Sequence, residues 1–193
     1  MSTPPRILAF AGSARAGSFN KKLVPIVAAG ARAAGAEVTT IDLRDFPLPI
    51  YDGDLESSSG LPGNAKKLRE LFRAHRGLLL ACPEYNSSIT PLLKNTIDWV
   101  TRDERGAGTI ECFEGKVAGL VAASPGALGG LRGLVHVRAI LGNIKVLVVP
   151  EQVAVTKAHE AFDEHGQLKD AKQSAAVESV GAAVARLLAL LER

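Results

Sequence analysis

Residues 7–20 read ILAFAGSARAGSFN, and this stretch decides the fold. Ile7–Ala11 is apolar throughout, which predicts a buried β-strand. Phe19–Ala34 has its apolar residues at helical spacing, which predicts a helix. Gly12 and Gly17, in the turn between them, permit a tight change of direction. A strand, a tight turn and a helix in this order form the repeating unit of a parallel α/β protein.

The rest of the chain repeats this alternation. The further predicted strands are Glu37–Leu43, Gly77–Cys82, Lys116–Ala123 and Ile144–Val149. The further predicted helices are Pro62–His75, Thr90–Thr101, Gly129–Leu141 and Lys169–Leu191. Because crossovers between parallel strands are right-handed, these strands predict a flavodoxin-like, doubly wound five-stranded parallel sheet in the order 2-1-3-4-5, with helices on both faces. We expect residues 1–193 to form a single domain.

The composition is that of an ordinary globular protein. Its 193 residues are 47% hydrophobic and 22% charged, which excludes intrinsic disorder. The net charge is +3 and the basic residues are scattered, so we expect no nucleic-acid surface. No apolar run approaches the roughly 18 residues of a membrane span, and no signal-peptide pattern opens the chain. We therefore expect a cytoplasmic protein without membrane contact, in which Cys82 and Cys112 are reduced.

Two local features complicate the assignment of elements. Pro25 lies inside the first predicted helix, where proline removes a backbone donor, so that helix is either kinked there or begins later. The polar stretch Glu56–Gly60 is predicted to be a loop rather than a linker between domains.

The turn at residues 12–20 has the composition of an anion site. Short hydroxyl and amide side chains accompany Arg15, and backbone N–H groups are free at the start of the following helix. The spacing fits neither a P-loop nor the G-x-G-x-x-G of dinucleotide-binding folds. It favours a single terminal phosphate, such as that of FMN, over a simple turn in which Ser18 caps the helix.

The loop after the third strand begins with Pro83-Glu84-Tyr85-Asn86. Pro83 blocks strand pairing and turns the chain out of the sheet. Asn86 tolerates unusual backbone geometry, and Tyr85 offers a flat face. A flavin ring needs backbone donors at its polar edge and apolar contact on its faces, so this loop suits a flavin. Taken singly, Glu84 is better explained as a solvated carboxylate and Tyr85 as a packed ring.

Taken together, the two loops resemble the NAD(P)H-dependent FMN reductase family, in particular its quinone- and chromate-reducing bacterial branch. The motifs are GSxRxxSxN at 12–20 and PEYN at 83–86, followed by LKNTIDW at 93–99. Further similarity lies in LPIYDGD at 48–54 and SPGALGGLR at 124–132. The chain departs from the family pattern at Ala14 and in the variable stretch Ser87–Thr90. Within Val155–Gln167, His159 and His165 match no motif.

The resemblance implies FMN as cofactor and NADPH or NADH as reductant. It implies that the phosphate and ribityl end is held by Ser13, Arg15, Ser18, Phe19 and Asn20. It implies that the isoalloxazine is lined by Pro83, Glu84, Tyr85 and Asn86, with Ser124 at the cofactor edge. It also implies a homodimer or homotetramer with the flavin near the subunit interface.

The implied chemistry needs no catalytic side chain and no metal, because flavin N5 carries hydride from the nicotinamide to a quinone, free flavin or another electrophile. A ping-pong mechanism follows if both substrates use one pocket in turn. The histidines lack metal-ligand spacing, and we interpret His136 as structural and Cys82 as a small buried hydrophobe. Two alternatives stay open: an FMN electron carrier that does not meet nicotinamide, and a flavin-free interaction module. Carriers of this fold are usually acidic, so the charge of +3 disfavours the first.

The helix that Thr90 and Pro91 open bears on the oligomeric state. Ile97 and Val100 share one of its faces, while Trp99 points elsewhere. We expect Trp99 to face a partner subunit, because two-fold pairing commonly covers such a surface. The alternative is that Trp99 is buried within its own subunit.

Overall fold

The structure is a computed structural model that describes residues 3–191. In chain order its strands are β1 Arg6–Ala11, β2 Glu37–Thr40, β3 Gly77–Ala81, β4 Glu84–Tyr85, β5 Ser88–Ile89, β6 Val117–Ala123 and β7 Leu147–Val155. β4 and β5 form a separate antiparallel hairpin, and the other strands form one parallel sheet in the order β2-β1-β3-β6-β7. When only the five strands of this sheet are numbered, without β4 and β5, their order is 2-1-3-4-5. The predicted topology is confirmed.

Helices flank the sheet within the described residues. In chain order they are α1 Phe19–Ala33, α2 Gly53–Ser59, α3 Gly63–Ala74, α4 Pro91–Val100, α5 Leu131–Asn143, α6 Ala158–Ala161 and α7 Ala171–Leu191. Successive side chains of a strand point to opposite faces of the sheet. In β1, Ile7 and Ala9 pack in an apolar cluster with α1 and α7, whereas Leu8 and Phe10 pack in a second cluster with α3, α4 and α5. Helices therefore cover both faces.

α1 and α7 lie in backbone contact on one face of the sheet. A Cβ atom added to Gly30 would lie 1.9 Å from the carbonyl oxygen of Glu178, and one added to Gly181 would lie 1.9 Å from that of Val27. Contrary to the sequence-based expectation, α7 is long and apolar enough to cross a membrane, with a mean hydropathy of 1.6. A helix packed in a protein core meets the same test of length and composition, and α7 lies in close contact with α1.

Two predicted helix starts are clarified by the structure. α1 begins at Phe19 and is continuous through Pro25, so the alternative of a later start is wrong. Pro25 is exposed, and its ring does not face the sheet. α5 begins at Leu131 rather than Gly129, because Gly129 and Gly130 have φ angles of 62° and 98°, outside the range of a right-handed helix.

β7 and α2 also differ from the predictions. β7 continues to Val155, beyond the predicted end at Val149. Pro150, Glu151 and Gln152 are residue types expected where a strand ends. The pairing of β7 with β6 shifts register at this segment and then continues to Val155. α2 occupies the stretch that was predicted to be a polar loop. The Asp52 carboxylate caps it by accepting a hydrogen bond from the Asp54 amide at 2.9 Å.

Candidate functional site

The loops that follow β1, β3 and β6 enclose a cleft at the carboxyl edge of the sheet. The cleft is lined by Ser13, Arg15, Ser18, Phe19, Asn20, Pro83, Glu84, Tyr85, Ala123, Ser124 and Pro125. It brings together every residue predicted to contact the cofactor except Asn86. Ligands of doubly wound sheets bind at this edge, where the strand order reverses between β1 and β3. The cleft has a volume of about 90 Å³.

The start of α1 supplies unsatisfied donors to the cleft. Ser18 is the N-cap residue, yet its side chain makes no capping hydrogen bond. The first backbone bond of the helix runs from the Lys22 amide to the Ser18 carbonyl, so the amides between them have no partner within the helix. The guanidinium of Arg15 is exposed and has no polar partner among residues 3–191. Unpaired donors at the positive end of a helix dipole form an anion-binding arrangement.

Asn20 joins the first loop to the end of β6. Its side-chain amide donates to the Ala123 carbonyl oxygen at 2.8 Å, and its side-chain oxygen accepts from the Ala123 amide at 3.0 Å. Asn20 is buried, and both polar atoms of its side chain are engaged in this clamp. Its backbone N–H, at the start of α1, is the group that remains for a cofactor.

Arg44 and Thr90 also hold the loop after β1, and the sequence analysis did not identify this role. Arg44 donates through Nε to the Ala14 carbonyl oxygen at 2.8 Å. The Thr90 hydroxyl donates to the Gly12 carbonyl oxygen at 2.8 Å while it accepts from the Leu93 amide at 3.3 Å. Thr90 was predicted only as the cap of α4, since no local pattern signals a contact between residues 78 positions apart.

The hairpin of β4 and β5 stands at the mouth of the cleft. Its turn residues, Asn86 and Ser87, have φ angles of 50° and 67°. Positive φ at both positions is typical of the type I′ turn, whose twist matches that of the strands. Asn86 lies at the exposed tip of this turn and does not line the cleft. Tyr85 is 47% exposed at the mouth, and Ser88 lies directly opposite it across the hairpin.

Glu84 fixes the hairpin against α5. Its carboxylate accepts from the Gly133 amide at 2.9 Å and from the Arg132 guanidinium at 3.1 Å. Because the N-cap of α5 is Gly130, which has no side chain, Glu84 provides the capping acceptor from another element. The Glu84 side chain is only 10% exposed, so the interpretation as a solvated carboxylate is wrong.

The loop after β6 forms the third wall of the cleft. Ser124 accepts from the Gly126 amide at 3.3 Å, which tightens the start of this loop. A Cβ atom on Gly129 would lie 2.8 Å from the carbonyl carbon of Ala154. Only glycine permits this close approach to β7 with a positive φ.

Residues 5–160 match the profile of the family described as NADPH-dependent FMN reductase. The chain belongs to this family. It is 36% identical over 174 residues to an NAD(P)H-dependent FMN reductase of Pseudomonas aeruginosa, with 89% of each chain covered. It is 32% identical over 154 residues to a quinone reductase of Escherichia coli, covering 77% of this chain and 76% of the other. The resemblance inferred from the two loops is therefore confirmed, and this protein is an FMN-dependent NAD(P)H oxidoreductase.

A solved structure shares the fold of this reductase over nearly its whole length. FerB, a flavoenzyme NAD(P)H:(acceptor) oxidoreductase from Paracoccus denitrificans, superposes with a TM-score of 0.80. The two chains are 23% identical, and the superposition covers 96% of this chain and 98% of the other. The flavodoxin-like architecture predicted from strand and helix alternation is thus found in a flavoenzyme.

In this reductase, Trp99 and Cys82 are buried. Trp99 packs beside Leu61 and Ala65, and its indole N–H donates to the Pro49 carbonyl oxygen at 2.8 Å. The expectation that Trp99 faces a partner subunit is therefore wrong, because the segment after β2 covers this side of α4. Burial raises the pKa of the Cys82 thiol far above its ordinary value, and the interpretation as a buried hydrophobe is confirmed.

Proposed function

We propose that the reductase binds FMN in this cleft, with the phosphate at the start of α1 and the isoalloxazine beside the hairpin. The observation that carries the proposal is the set of unpaired donors at one end of the cleft: Arg15, Ser18 and the first amides of α1. Ser13 adds to this set, since its hydroxyl accepts from the Arg15 amide at 3.3 Å and its own proton remains available. A phosphate monoester supplies both the negative charge and the acceptor oxygens that these groups lack.

The remaining cleft residues would orient the rest of the cofactor. Phe19 stacks on Phe162 with ring centroids 6.0 Å apart and would provide an apolar wall for the ribityl chain. Tyr85 and the backbone of Pro83 would contact the ring, and Ser124 its edge. FMN, when bound, would supply the hydride-transfer chemistry that no protein side chain supplies. Backbone amides of the loops would stabilise the charge that develops on the ring.

We propose that NAD(P)H is the donor and that a quinone, a free flavin or another electrophile is the acceptor. The sheet edge and its loops would cover one side of the ring, so both substrates would use the other side in turn. Double-reciprocal plots should then give parallel lines, the kinetic signature of a ping-pong mechanism. Intersecting lines would indicate a ternary complex and contradict the shared pocket.

An absorbance spectrum of the purified protein tests cofactor binding directly. Anaerobic NADPH should bleach the flavin bands, and a quinone should restore them within the same cuvette. An FMN electron carrier that does not react with nicotinamide would keep its oxidised absorbance spectrum after NADPH is added. A colourless protein that does not take up added FMN would contradict the proposal itself.

We also propose that residues 1–193 form one domain that pairs as a homodimer or homotetramer. Exposed apolar side chains surround the mouth of the cleft, namely Tyr85, Leu128, Leu131 and Val135. A second copy of the chain would cover such a patch by two-fold pairing. Light scattering that gives a mass near 20.2 kDa, with flavin bound and activity intact, would contradict this assembly.

A further inference from the structure

α5 contacts the hairpin through Arg132 and His136, which are four residues apart and therefore lie on one face of the helix. Arg132 forms an ion pair with β4, and Nδ1 of His136 lies 2.8 Å from the Ser88 hydroxyl oxygen on β5.

The hairpin relates Ser88 to the cleft. Ser88 lies directly opposite Tyr85, and residues so paired in antiparallel strands have their side chains on the same face. Tyr85 lines the cleft, so the Ser88 hydroxyl lies on the same hairpin face as a side chain of the cleft. His136 is itself exposed, so its ring exchanges protons with water while Nδ1 contacts Ser88.

The charged side chains of α5 and the hairpin near the Ser88–His136 pair are engaged in other contacts. On α5, the Arg132 guanidinium is held by Glu84, and a guanidinium does not release a proton at neutral pH. Arg138, farther along α5, donates to the carbonyl oxygens of Val148 and Val149. The Glu84 carboxylate accepts three hydrogen bonds, two from the Arg132 guanidinium and one from the Gly133 amide.

We propose that the Ser88–His136 pair delivers the proton that a quinone acceptor takes up with its hydride, an inference that rests on the proposed function. Reduction of a quinone to a hydroquinone requires one hydride, which carries two electrons, and one further proton. NAD(P)H supplies the hydride and is oxidised to NAD(P)⁺. The proton passes from Nδ1 of protonated His136 through the Ser88 hydroxyl to the acceptor's carbonyl oxygen, and His136 is then reprotonated by water.

Stopped-flow reoxidation with two acceptors tests the proposal. The holoenzyme is reduced with one equivalent of NADPH and mixed with 1,4-benzoquinone, which takes up protons, or with ferricyanide, which takes up only electrons. In His136→Gln and in Ser88→Ala, we expect quinone-dependent reoxidation to slow at least tenfold, within the range of general acid catalysis. Ferricyanide-dependent reoxidation and reduction by NADPH should stay within twofold of wild type.

The solvent isotope effect provides a second readout that a purely structural tie would not change. The wild-type rate of reoxidation by quinone should fall in D₂O, and both variants should show a smaller fall. His165→Gln is the matched control, since His165 is 78% exposed and lies outside α5 and the hairpin. Equal slowing with both acceptors, or no slowing with quinone, would overturn the proton-delivery role. A wild-type enzyme that NADPH fails to reduce would instead refute the proposed function.

Discussion

Two concavities flank the first turns of α1, and the larger one is the poorer candidate for a ligand site. The larger is a groove of about 380 Å³ between α1 and the end of β2, lined in part by Lys21, Arg32 and Asp42. The smaller is the cleft of about 90 Å³ that contains Arg15 and Ser18. Both have basic residues and helix backbone in their walls, so charge alone does not indicate which of them binds an anion.

The two concavities differ in whether their polar groups already have partners. In the groove, Lys21 Nζ lies 2.5 Å from the Asp42 carboxylate, and Arg32 donates to the Val38 carbonyl oxygen at 3.0 Å. In the cleft, Arg15 and the Ser18 hydroxyl make no such contacts within residues 3–191. A site for an anion keeps its donors free until the anion arrives, because a donor that is already paired gains little from a new partner. The following predictions test this distinction.

The largest effect is expected for Asn20→Ala. This change leaves the buried amide and carbonyl of Ala123 without their partners, and each unsatisfied group costs about 1–3 kcal/mol. We therefore expect the free energy of unfolding to fall by about 2–5 kcal/mol, together with loss of FMN, since the loops after β1 and β6 separate. Urea denaturation of the apoprotein measures the change, with exposed Asn143→Ala as control. Equal free energies of unfolding for the two variants would show that the hydrogen bonds between Asn20 and Ala123 do not stabilise the fold.

Arg15→Ala is expected to weaken FMN binding without changing the fold. A hydrogen bond to a charged group contributes about 1.5–3 kcal/mol, which corresponds to about a 10- to 150-fold rise in Kd. Fluorescence titration of the apoprotein with FMN measures the affinity. The matched control is Arg32→Ala, which removes an exposed arginine from the groove. Retention of full flavin occupancy by the Arg15 variant after dialysis would contradict the proposal that Arg15 binds the FMN phosphate.

Ser18→Ala should have a smaller effect on the same titration. A neutral hydroxyl contributes about 1 kcal/mol, or about a fivefold rise in Kd. Since the Ser18 side chain makes no capping bond in this structure, the variant should lose little stability in the absence of FMN. A loss of apoprotein stability as large as that of an ordinary N-cap mutation would show that Ser18 serves the helix rather than the ligand.

The same contrast explains which parts of the molecule could be predicted from sequence. The strand order follows from the alternation of strands and helices together with right-handed crossovers, and the composition of an anion site is visible in residues 12–20 alone. The clamp of Asn20 on Ala123 spans 103 positions, and no local pattern indicates it. Trp99 was expected to face a partner subunit, because no local pattern indicates that Leu61 and the Pro49 carbonyl, 50 positions away, cover it. The cap that Glu84 provides to α5 arises because Gly130 cannot cap that helix itself.

The smallest effect is expected at Lys21, which lies on the groove side of α1. Burial raises the pKa of Asp42, but the hydrogen bonds from Lys21 and from the Arg44 amide outweigh it and hold the pKa below its ordinary value. A carboxyl with a lowered pKa contributes stability above its unfolded pKa of about 3.9, and this contribution is lost as pH falls through the folded pKa. For a partly exposed pair the contribution is about 0.2–1 kcal/mol.

Lys21→Gln should therefore lower the free energy of unfolding slightly at pH 7, and the difference from wild type should vanish as the pH falls below the lowered pKa of Asp42. FMN affinity should stay within about twofold, since Lys21 is already paired with Asp42 and belongs to the groove. Chemical denaturation at several pH values and the same FMN titration measure both quantities. If Lys21→Gln weakened FMN binding as much as Arg15→Ala, the cofactor phosphate would draw on both sides of α1. The distinction between free and paired donors would then be wrong, because a paired donor would contribute as much to FMN binding as a free one.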